Sequence, residues 1–288
     1  MSYNVLGGTV PDDWFPLLPR DQLPPMVRAP SLVAKIESAH PDVAGFQELI
    51  AGTELSAYLE QKLVGYTWVH SSDNHALMVR RDRFDVDETG ESRLNSVGEE
   101  GSYLDRYVNW ARLRDRSSGR TVLVLNVHAH PVQTVQMARV RALGITRLVA
   151  VVRELDPKLA EPLVLMGDFN AGDKESRPVF RDHLTALSEL GLADTAALAA
   201  RDASDVPNAN SLNKLTAQVA GVEVAKVVRR TARHVDYVWV PSRTEVSTWQ
   251  VLSGPGVRWQ RVRGERVPTW PGIIASDHSP VIAEFTFG

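Results

Sequence analysis

Four short segments of the sequence bring together side chains that bind metal ions or phosphate groups. They are Asn4 with the sequence FQE at 46–48, LNVHAH at 125–130, LMGDFNA at 165–171 and SDHSPV at 276–281. Each cluster follows an apolar run of strand character or leads into one. Carboxylates, carboxamides and histidines at strand ends, repeated through one chain, are what metal-assisted hydrolysis of a phosphoester requires.

The carboxylates and carboxamides of these segments each have two interpretations. Glu48 ends an apolar strand and is either a ligand for a hard cation or a strand-end group that faces solvent. Asn4 is open to the same two interpretations. In GDFNA, Asp168 and Asn170 either orient a water molecule and hold a phosphoryl oxygen, or close the strand as an Asx-turn. We favour function for this pair, because the flanking run is too apolar to need two polar groups for solubility.

Two histidines are placed for chemistry. His128 ends the apolar strand TVLVLNVH, which also carries Asn126, whereas we expect His130 to be a loop residue. His278 follows Asp277 just before the last strand, and Asp236 begins another strand in HVD. If Asp236 accepts a hydrogen bond from His278, it fixes the tautomer and raises the basicity of the imidazole, as a general base acting on water requires. Taken alone, SDH is also compatible with a capped turn.

Composition is that of an ordinary globular protein. The 288 residues are 43% hydrophobic and 23% charged. The net charge of −3 does not predict avid, non-specific binding of nucleic acid. The absence of cysteine excludes disulfides, thiolate metal sites and thiol nucleophiles. No apolar run is long enough to span a membrane. We expect a cytoplasmic protein, or a secreted one if an N-terminal leader has been removed.

The elements that position these residues alternate only loosely between helix and strand. The sequence predicts helices at 31–39 with Ser31 as N-cap, at 53–63 with Thr53 as N-cap, at about 132–155 and at roughly 176–190. It predicts strands at 41–48, 66–70, 76–80, 107–114, 121–128, 162–168, 235–240, 246–252 and 281–287. It predicts loops at 11–25, 85–105 and 201–233. Because no low-complexity linker divides the chain, we expect residues 1–288 to form one domain.

In this order the motifs resemble those of the endonuclease/exonuclease/phosphatase superfamily, the family of deoxyribonuclease I. The resemblance extends from Asn4 to Pro280 and rests on SYNV, PDVAGFQE, LNVHAHP, GDFNA, HVDYVWV and SDHSPV. It implies an α/β fold, a four-layer sandwich of two mixed sheets packed face to face with helices outside. It also implies hydrolysis of phosphodiester bonds by in-line attack of an activated water.

The resemblance further implies a role for each site residue. Glu48 would be the main Mg²⁺ ligand, with Asn4 close by and Asp277 as a further ligand; Mn²⁺ would be able to substitute. Asp168 would orient or activate the water and Asn170 would hold the phosphate. His278, paired with Asp236, would be the general base or a phosphate-stabilising group. His128 would protonate the leaving oxygen or stabilise the pentacovalent intermediate.

The substrate is less well defined by the sequence. We expect nucleic acid first, with a small phosphorylated molecule such as a nucleotide, lipid headgroup or metabolite as the alternative, and we expect a monomer. Two loops ahead of HVD and SDH are rich in residues that bind phosphates and bases, namely Arg229, Arg230, Arg233, Arg258, Arg261, Arg263, Arg266, Trp259 and Trp270. The lack of disulfides, and Leu6 where repair-type apurinic endonucleases of the family carry aspartate, argue against those two subfamilies.

Overall fold

The computed structural model describes most of the chain. The described residues are 1–8, 24–131, 134–172, 182–206, 209–212, 234–253, 258–262, 265–269, 273 and 275–287. Most of the predicted loop at 11–25 and most of the predicted irregular segment at 201–233 lie outside these ranges.

Two mixed β-sheets form the centre of the described fold, as the sequence predicts. The first sheet contains β1 (Ser2–Asn4), β2 (Val43–Gln47), β3 (Tyr66–His70), β4 (His75–Arg80), β10 (Arg201–Asp202), β12 (Glu245–Val251) and β15 (Val281–Thr286). The second contains β5 (Phe84–Asn95), β6 (Arg106–Asp115), β7 (Thr121–His128), β8 (Leu163–Asp168), β9 (Leu192–Asp194) and β11 (Asp236–Pro241). Their strand orders are β10-β12-β15-β1-β2-β4-β3 and β5-β6-β7-β8-β11-β9. A separate antiparallel hairpin pairs β13 (Arg258–Val262) with β14 (Glu265–Thr269).

Helices cover the outer faces of the two sheets. They are α1 (Pro25–Ala39), α2 (Glu54–Lys62), α3 (Val135–Leu155), α4 (Asp182–Glu189) and the short α5 (Thr195–Leu198). One apolar cluster packs α1 and α2 on the first sheet, and a second packs α3 and α4 on the other sheet. A third lies between the sheets and includes Leu77, Val124, Met166 and Val281. These three apolar layers hold four layers of secondary structure, which confirms the predicted sandwich.

Helix α1 is longer than the sequence suggested. It begins at Pro25, so Ser31 lies inside it rather than at its N-cap, and Pro30 is also internal. A proline there removes one helical hydrogen bond. Ala29, Leu32 and Ile36 are fully buried against the first sheet, and their burial offsets that loss. The predicted Thr53 cap is confirmed, because its side chain accepts from the backbone N–H of Ser56.

The predicted loop at 85–105 is wrong over much of its length. Residues 84–95 form β5, an edge strand paired antiparallel with β6. Arg114 binds Asp87 across this pair, and Arg112 binds Glu88. Such cross-strand ion pairs support an exposed strand that has few apolar side chains. The acidic composition therefore did not predict the strand, because the residues that stabilise its charges lie on β6 and are not apparent from the local sequence.

A buried amide joins the two sheets just behind the strand ends. Asn126 on β7 donates through Nδ2 to the carbonyls of Phe46 (2.9 Å) and Ala76 (3.2 Å), and its Oδ1 accepts from Gln47 Nε2 at 2.7 Å. Asn126 and Gln47 are fully buried. A Cβ on Gly45 would lie 2.6 Å from Asn126 Oδ1, so glycine is needed there for the sheets to approach.

We predict that Asn126→Ala lowers the free energy of unfolding by about 2–4 kcal/mol, because it removes three buried hydrogen bonds between the two sheets. Asn109→Ala is the matched control: Asn109 faces Asn126 across β6 and β7 and is equally buried, but it makes one 3.4 Å contact with the carbonyl of Val69. Its loss should be about 1 kcal/mol. Urea unfolding measures both changes, and equal losses of unfolding free energy would contradict the role of Asn126 in joining the two sheets.

Candidate active site

Strand register places three residues of the second sheet side by side, namely His128, Asp168 and Asp236. In the parallel pair β7 and β8, His128 is opposite Asp168. In the antiparallel pair β8 and β11, Asp236 is opposite Asp168. Directly opposed residues place their side chains on the same face of a sheet. The predicted residues from three separate motifs therefore form one row with Asp168 at its centre.

Asp168 forms the Asx-turn and also faces the other predicted site residues. Its Oδ1 accepts from the backbone N–H of Asn170 at 2.7 Å, which is the expected Asx-turn. Its Oδ2 accepts from Asn4 Nδ2 at 3.1 Å and lies 3.6 Å from His128 Nε2 and 3.8 Å from His278 Nε2. One oxygen shapes the turn while the other faces the remaining site residues.

The expected pair of His278 and Asp236 is present. His278 Nδ1 lies 2.8 Å from Asp236 Oδ2, so Nε2 is left to face Asp168. Burial acts to lower the pKa of His278, but the charges of Asp236 and Asp168 raise it well above its ordinary value. A hydrogen bond of 3.2 Å from the His278 backbone N–H to Ser276 Oγ holds the segment, and Ser276 in turn donates to the carbonyl of Asn4 at 2.7 Å. SDH is thus both a capped turn and half of a charged pair.

Glu48 lies on the first sheet's side of the site. Asn4 Nδ2 donates to Glu48 Oε1 at 3.0 Å as well as to Asp168, while Asn4 Oδ1 accepts from the backbone of Leu6 at 3.1 Å. Asn4 therefore faces the two carboxylates with its donor and orients them, and its role as a metal ligand stays a prediction. Burial raises the pKa of Glu48, and the charge of Asp277 raises it further.

Backbone strain is concentrated at these strand ends. Leu6, Glu48 and Asn170 have φ values of +52°, +62° and +50°, which side-chain-bearing residues rarely adopt. Such conformations persist only where the surroundings enforce them, and they cluster at functional sites. Asn170 is held by its own amide, whose Nδ2 donates to the carbonyl of Ala129 at 3.0 Å.

The sequence analysis missed Arg106, which begins β6. Arg106 is 5% exposed, its Nε is buried without a hydrogen-bond partner, and its side chain makes no ion pair within the described residues. Burial lowers its pKa, while Asp73, Glu48 and Asp168 stabilise its charge. An unpaired buried guanidinium is costly unless an anion completes it. The only signal in the sequence was an arginine immediately before the predicted strand at 107–114, and nothing in its neighbouring residues indicated that it would be buried.

Two further buried residues support the site without having been predicted. His75 at the start of β4 is fully buried, and its ring lies edge-on to His128 with centroids 5.9 Å apart. Burial lowers the pKa of His75 to about 3, and it lowers the pKa of His128 well below its ordinary value, so both imidazoles are neutral. Arg28 donates to the carbonyls of Val5, Leu6 and Ala275, at 3.1, 2.5 and 2.6 Å, and thereby ties the first motif to the last.

Several predicted substrate-binding residues cannot be placed. Those outside the described residues are Arg229, Arg230, Arg233, Arg263 and Trp270. Those on the β13–β14 hairpin, for which the backbone alone is described, are Arg258, Trp259 and Arg266. Arg261 on the same hairpin is exposed. Their contribution to substrate binding stays a prediction.

Two sets of residues have the chemistry to hold a cation. Asp168, Asp236 and His278 offer atoms within 4.8 Å of one another, but Asp236 and His278 already share a hydrogen bond. Glu48 and Asp277 are the second set, and their mutual repulsion contributes to the raised pKa of Glu48. Carboxylate oxygens in this setting suit a hard divalent cation, which would relieve that repulsion.

Comparison with known proteins gives one family. The Endonuclease/Exonuclease/phosphatase family matches residues 1–278, and no curated protein sequence gives a significant match. A mannosyl-6-phosphatase of Bacteroides thetaiotaomicron VPI-5482 has a similar structure (TM-score 0.71, 20% identity, covering 99% of this chain and 98% of that chain). So does an endonuclease/exonuclease/phosphatase family protein of the same species (TM-score 0.73, 19% identity, 99% and 95%). D. rerio TDP2 complexed with a single-strand DNA product is also similar (TM-score 0.62, 17% identity, 99% and 97%).

Among the described residues, no helix is both long enough and apolar enough to cross a bilayer.

We predict that Asp168→Asn stabilises the metal-free protein. Burial, with the charge of Asp236, raises the pKa of Asp168 to about 7. The folded state therefore keeps a proton that the unfolded state loses near pH 4, and ionisation costs stability as pH rises between these values. The variant should gain on the order of 4 kcal/mol at pH 8 and nothing below about pH 4. Urea unfolding with a chelator across this range measures the gain, and a pH-independent difference would contradict it.

Proposed function

The chain belongs to the Endonuclease/Exonuclease/phosphatase family, whose members are phosphoester hydrolases, and we propose that its site performs Mg²⁺-dependent attack of water on a phosphoester. The observation that carries the proposal is the row formed by Asp236, His278 and Asp168, in which a 2.8 Å hydrogen bond leaves His278 Nε2 facing Asp168 Oδ2. A water between these two groups would be oriented by the carboxylate and would lose its proton to the neutral form of the imidazole, which the raised pKa of His278 makes more abundant only as pH rises.

Enzymes of this family generally use divalent metal ions, and the chain's own residues fit one. Glu48 would be the principal ligand, with Asp277 beside it, and Asn4 would hold Glu48 and Asp168 apart at hydrogen-bond distance. When bound, Mg²⁺ supplies positive charge for the non-bridging oxygens and lowers the cost of placing these carboxylates together. Mn²⁺ offers similar chemistry, and the absence of cysteine removes the thiolate ligands that favour zinc.

The remaining residues would bind the phosphoryl group and the leaving oxygen. Asn170 lies two residues after Asp168, in the turn that follows β8, and its side-chain amide can hold a phosphoryl oxygen. Arg106 lacks a hydrogen-bonding partner within the described residues, so its guanidinium is free to bind an anion beside Asp168. His128 is a neutral imidazole next to Asp168 and can donate a hydrogen bond to the leaving oxygen. Donors aimed at developing charge are usually the largest catalytic contribution.

Two classes of substrate fit this chemistry. Nucleic acid is supported by the arginine content of the β13–β14 hairpin, where Arg261 is exposed, and by the DNA product bound to D. rerio TDP2. A small phosphorylated molecule is supported by the net charge of −3 and by the sugar phosphatase of B. thetaiotaomicron. The near-complete burial of His128, Asp168 and His278 also favours a phosphate that ends a small molecule, because such a group enters a narrow site more easily than a duplex backbone. We further propose that the chain acts as one domain and as a monomer.

Activity should require both the metal ligand and the base. Supercoiled plasmid, a lipid phosphodiester, nucleotides and a hexose 6-phosphate, each with Mg²⁺ or with a chelator, distinguish the substrate classes. We expect Glu48→Gln and His278→Ala to lower kcat for any hydrolysed substrate at least about 100-fold. Glu48→Gln should also abolish the heat of Mg²⁺ binding in calorimetry, whereas His278→Ala should retain it.

The controls for this experiment are Glu60→Gln and His70→Ala, which break a surface contact of 3.0 Å away from the strand-end row. Both should leave kcat and Mg²⁺ binding unchanged. If Glu48→Gln and His278→Ala also leave every detected activity unchanged, the site is assigned incorrectly.

Arg106 should bind the substrate phosphate, so Arg106→Met is expected to lower kcat/KM about 100–1,000-fold. Arg106→Lys, which keeps the charge, should recover part of the loss. Arg106→Met should also stabilise the substrate-free protein, because it removes an unpaired buried charge. Arg112→Met on the same strand is the control, since Arg112 pairs with Glu88 and Glu161. Unchanged kcat/KM in Arg106→Met would exclude the phosphate contact.

A further inference from the structure

Helix α3 carries a buried arginine that contacts the turn after β8. Arg141 is 1% exposed, and its Nη1 donates to the backbone carbonyl of Asn170 at 2.9 Å. Its Nη2 donates to Asp182 Oδ1 at 2.8 Å, at the start of α4. The guanidinium therefore bridges a helix terminus and the one residue of the turn that faces the phosphoryl position in the proposed function.

Three polar groups of Asn170 have fixed partners. Its backbone N–H donates to Asp168, its side chain donates to Ala129, and its carbonyl accepts from Arg141. The φ of +50° that this requires is unfavourable for a residue with a side chain. Three fixed contacts are therefore needed to hold the amide, and Arg141 supplies the one that comes from outside the sheet.

The geometry of the ion pair indicates what sets the direction of the guanidinium. Within the described residues, Arg141 Nε and Asp182 Oδ2 are buried without hydrogen-bond partners, so the pair is single and not forked. A forked pair satisfies both carboxylate oxygens and is the stronger arrangement. Arg141 makes one hydrogen bond to Asp182 through Nη2 and one to the carbonyl of Asn170 through Nη1. This arrangement is expected where the turn that contains Asn170 sets the orientation of the guanidinium.

The same helix contains an arginine with the other arrangement. Arg147 also binds a backbone carbonyl, that of Leu94 at 2.9 Å, and also binds a carboxylate, that of Glu99. Both of its Nη atoms contact Glu99, which makes a forked pair. Arg147 ties α3 to the end of β5 and, among the residues that the structure describes, makes no contact with the row of Asp168. It is a structural counterpart of Arg141 within one helix.

We propose that Arg141 is a positioning residue for phosphoester hydrolysis, which holds Asn170 at the angle needed to bind a phosphoryl oxygen, with Asp182 fixing the guanidinium. This inference rests on the proposed function of the site. Metal binding would then depend on Glu48 and phosphate alignment on Asn170, so that loss of Arg141 should affect only the alignment.

The test compares Arg141→Met and Arg141→Lys with Arg147→Met in the full chain. With a substrate that the wild type hydrolyses, Arg141→Met should lower kcat about 10–100-fold, since small misplacements of aligned groups have effects of this size. KM for Mg²⁺ and its calorimetric binding should stay unchanged. Arg141→Lys, which can still donate to the carbonyl of Asn170, should restore part of kcat. Arg147→Met should lower the unfolding midpoint without lowering kcat per folded molecule.

Asp182→Asn provides a second variant in case Arg141→Met does not fold, because it removes only the charge that fixes the guanidinium; it should lower kcat by less than Arg141→Met does. The proposal is overturned if Arg141→Met and Arg147→Met have equal kcat. Where Arg141→Met is unfolded, it is overturned if Asp182→Asn has the same kcat as the wild type.

A readout that needs no turnover separates this inference from the proposed function. In ¹⁵N-labelled protein, the backbone and side-chain amide resonances of Asn170 should shift in Arg141→Lys and stay in place in Arg147→Met. If the wild type hydrolyses nothing in the substrate panel, the proposed function fails, and the Asn170 resonances still decide whether Arg141 positions the turn. Unshifted resonances would overturn the inference whatever the activity.

Discussion

The amide side chain of Asn126 is the contact on which the geometry of the site depends. The first sheet carries Asn4 and leads into Glu48, whereas the second carries His128 and Asp168. The apolar layer between the sheets drives their association, but it is non-directional and would tolerate sliding. Asn126 reaches the backbones of β2 and β4 and the side chain of Gln47, so it fixes one relative position. Fully satisfied buried polar groups of this kind specify a unique packing.

The site is assembled at the expense of stability in the metal-free protein. Asp168 and Glu48 are carboxylates whose pKa values are raised by burial, and Arg106 is a buried cation without a hydrogen-bonding partner in the described residues. Each of these groups is costly alone, and in the proposed function a charge of opposite sign from outside the chain would offset that cost. Proteins commonly accept such costs at functional sites, where a better-packed alternative would lose activity. The neutral state of His128 and His75 fits the same environment, because positive charge there is already supplied by Arg106.

The sequence was sufficient for the sandwich and for the residues that meet at its edge. Short apolar strands ending in polar groups are visible without a structure, and Asp236 beside His278 followed from the roles of the two side chains. Register was not visible, so the single row of His128, Asp168 and Asp236 emerged only with the sheet. Arg106, His75 and Arg28 were missed for one reason: each is defined by burial against distant segments, and nothing in its neighbouring sequence distinguishes it from a surface residue. The charged edge strand β5 was missed because its stabilising partners lie on β6.

The hydrogen bond from Ser276 to the carbonyl of Asn4 joins residues separated by 272 positions. With Arg28 bound to the backbone on both sides of this junction, the reaction centre includes the first strand and the segment before the last one. During synthesis, Asn4 and Glu48 leave the ribosome long before His278, so the site stays incomplete until nearly the whole chain has emerged. Contacts of such long sequence separation also form late, since their loop-closure entropy must be offset by structure already in place. Competence for the proposed reaction therefore coincides with the completion of folding, because a chain truncated before Ser276 loses His278 together with β15, the strand that joins β12 to β1 in the first sheet.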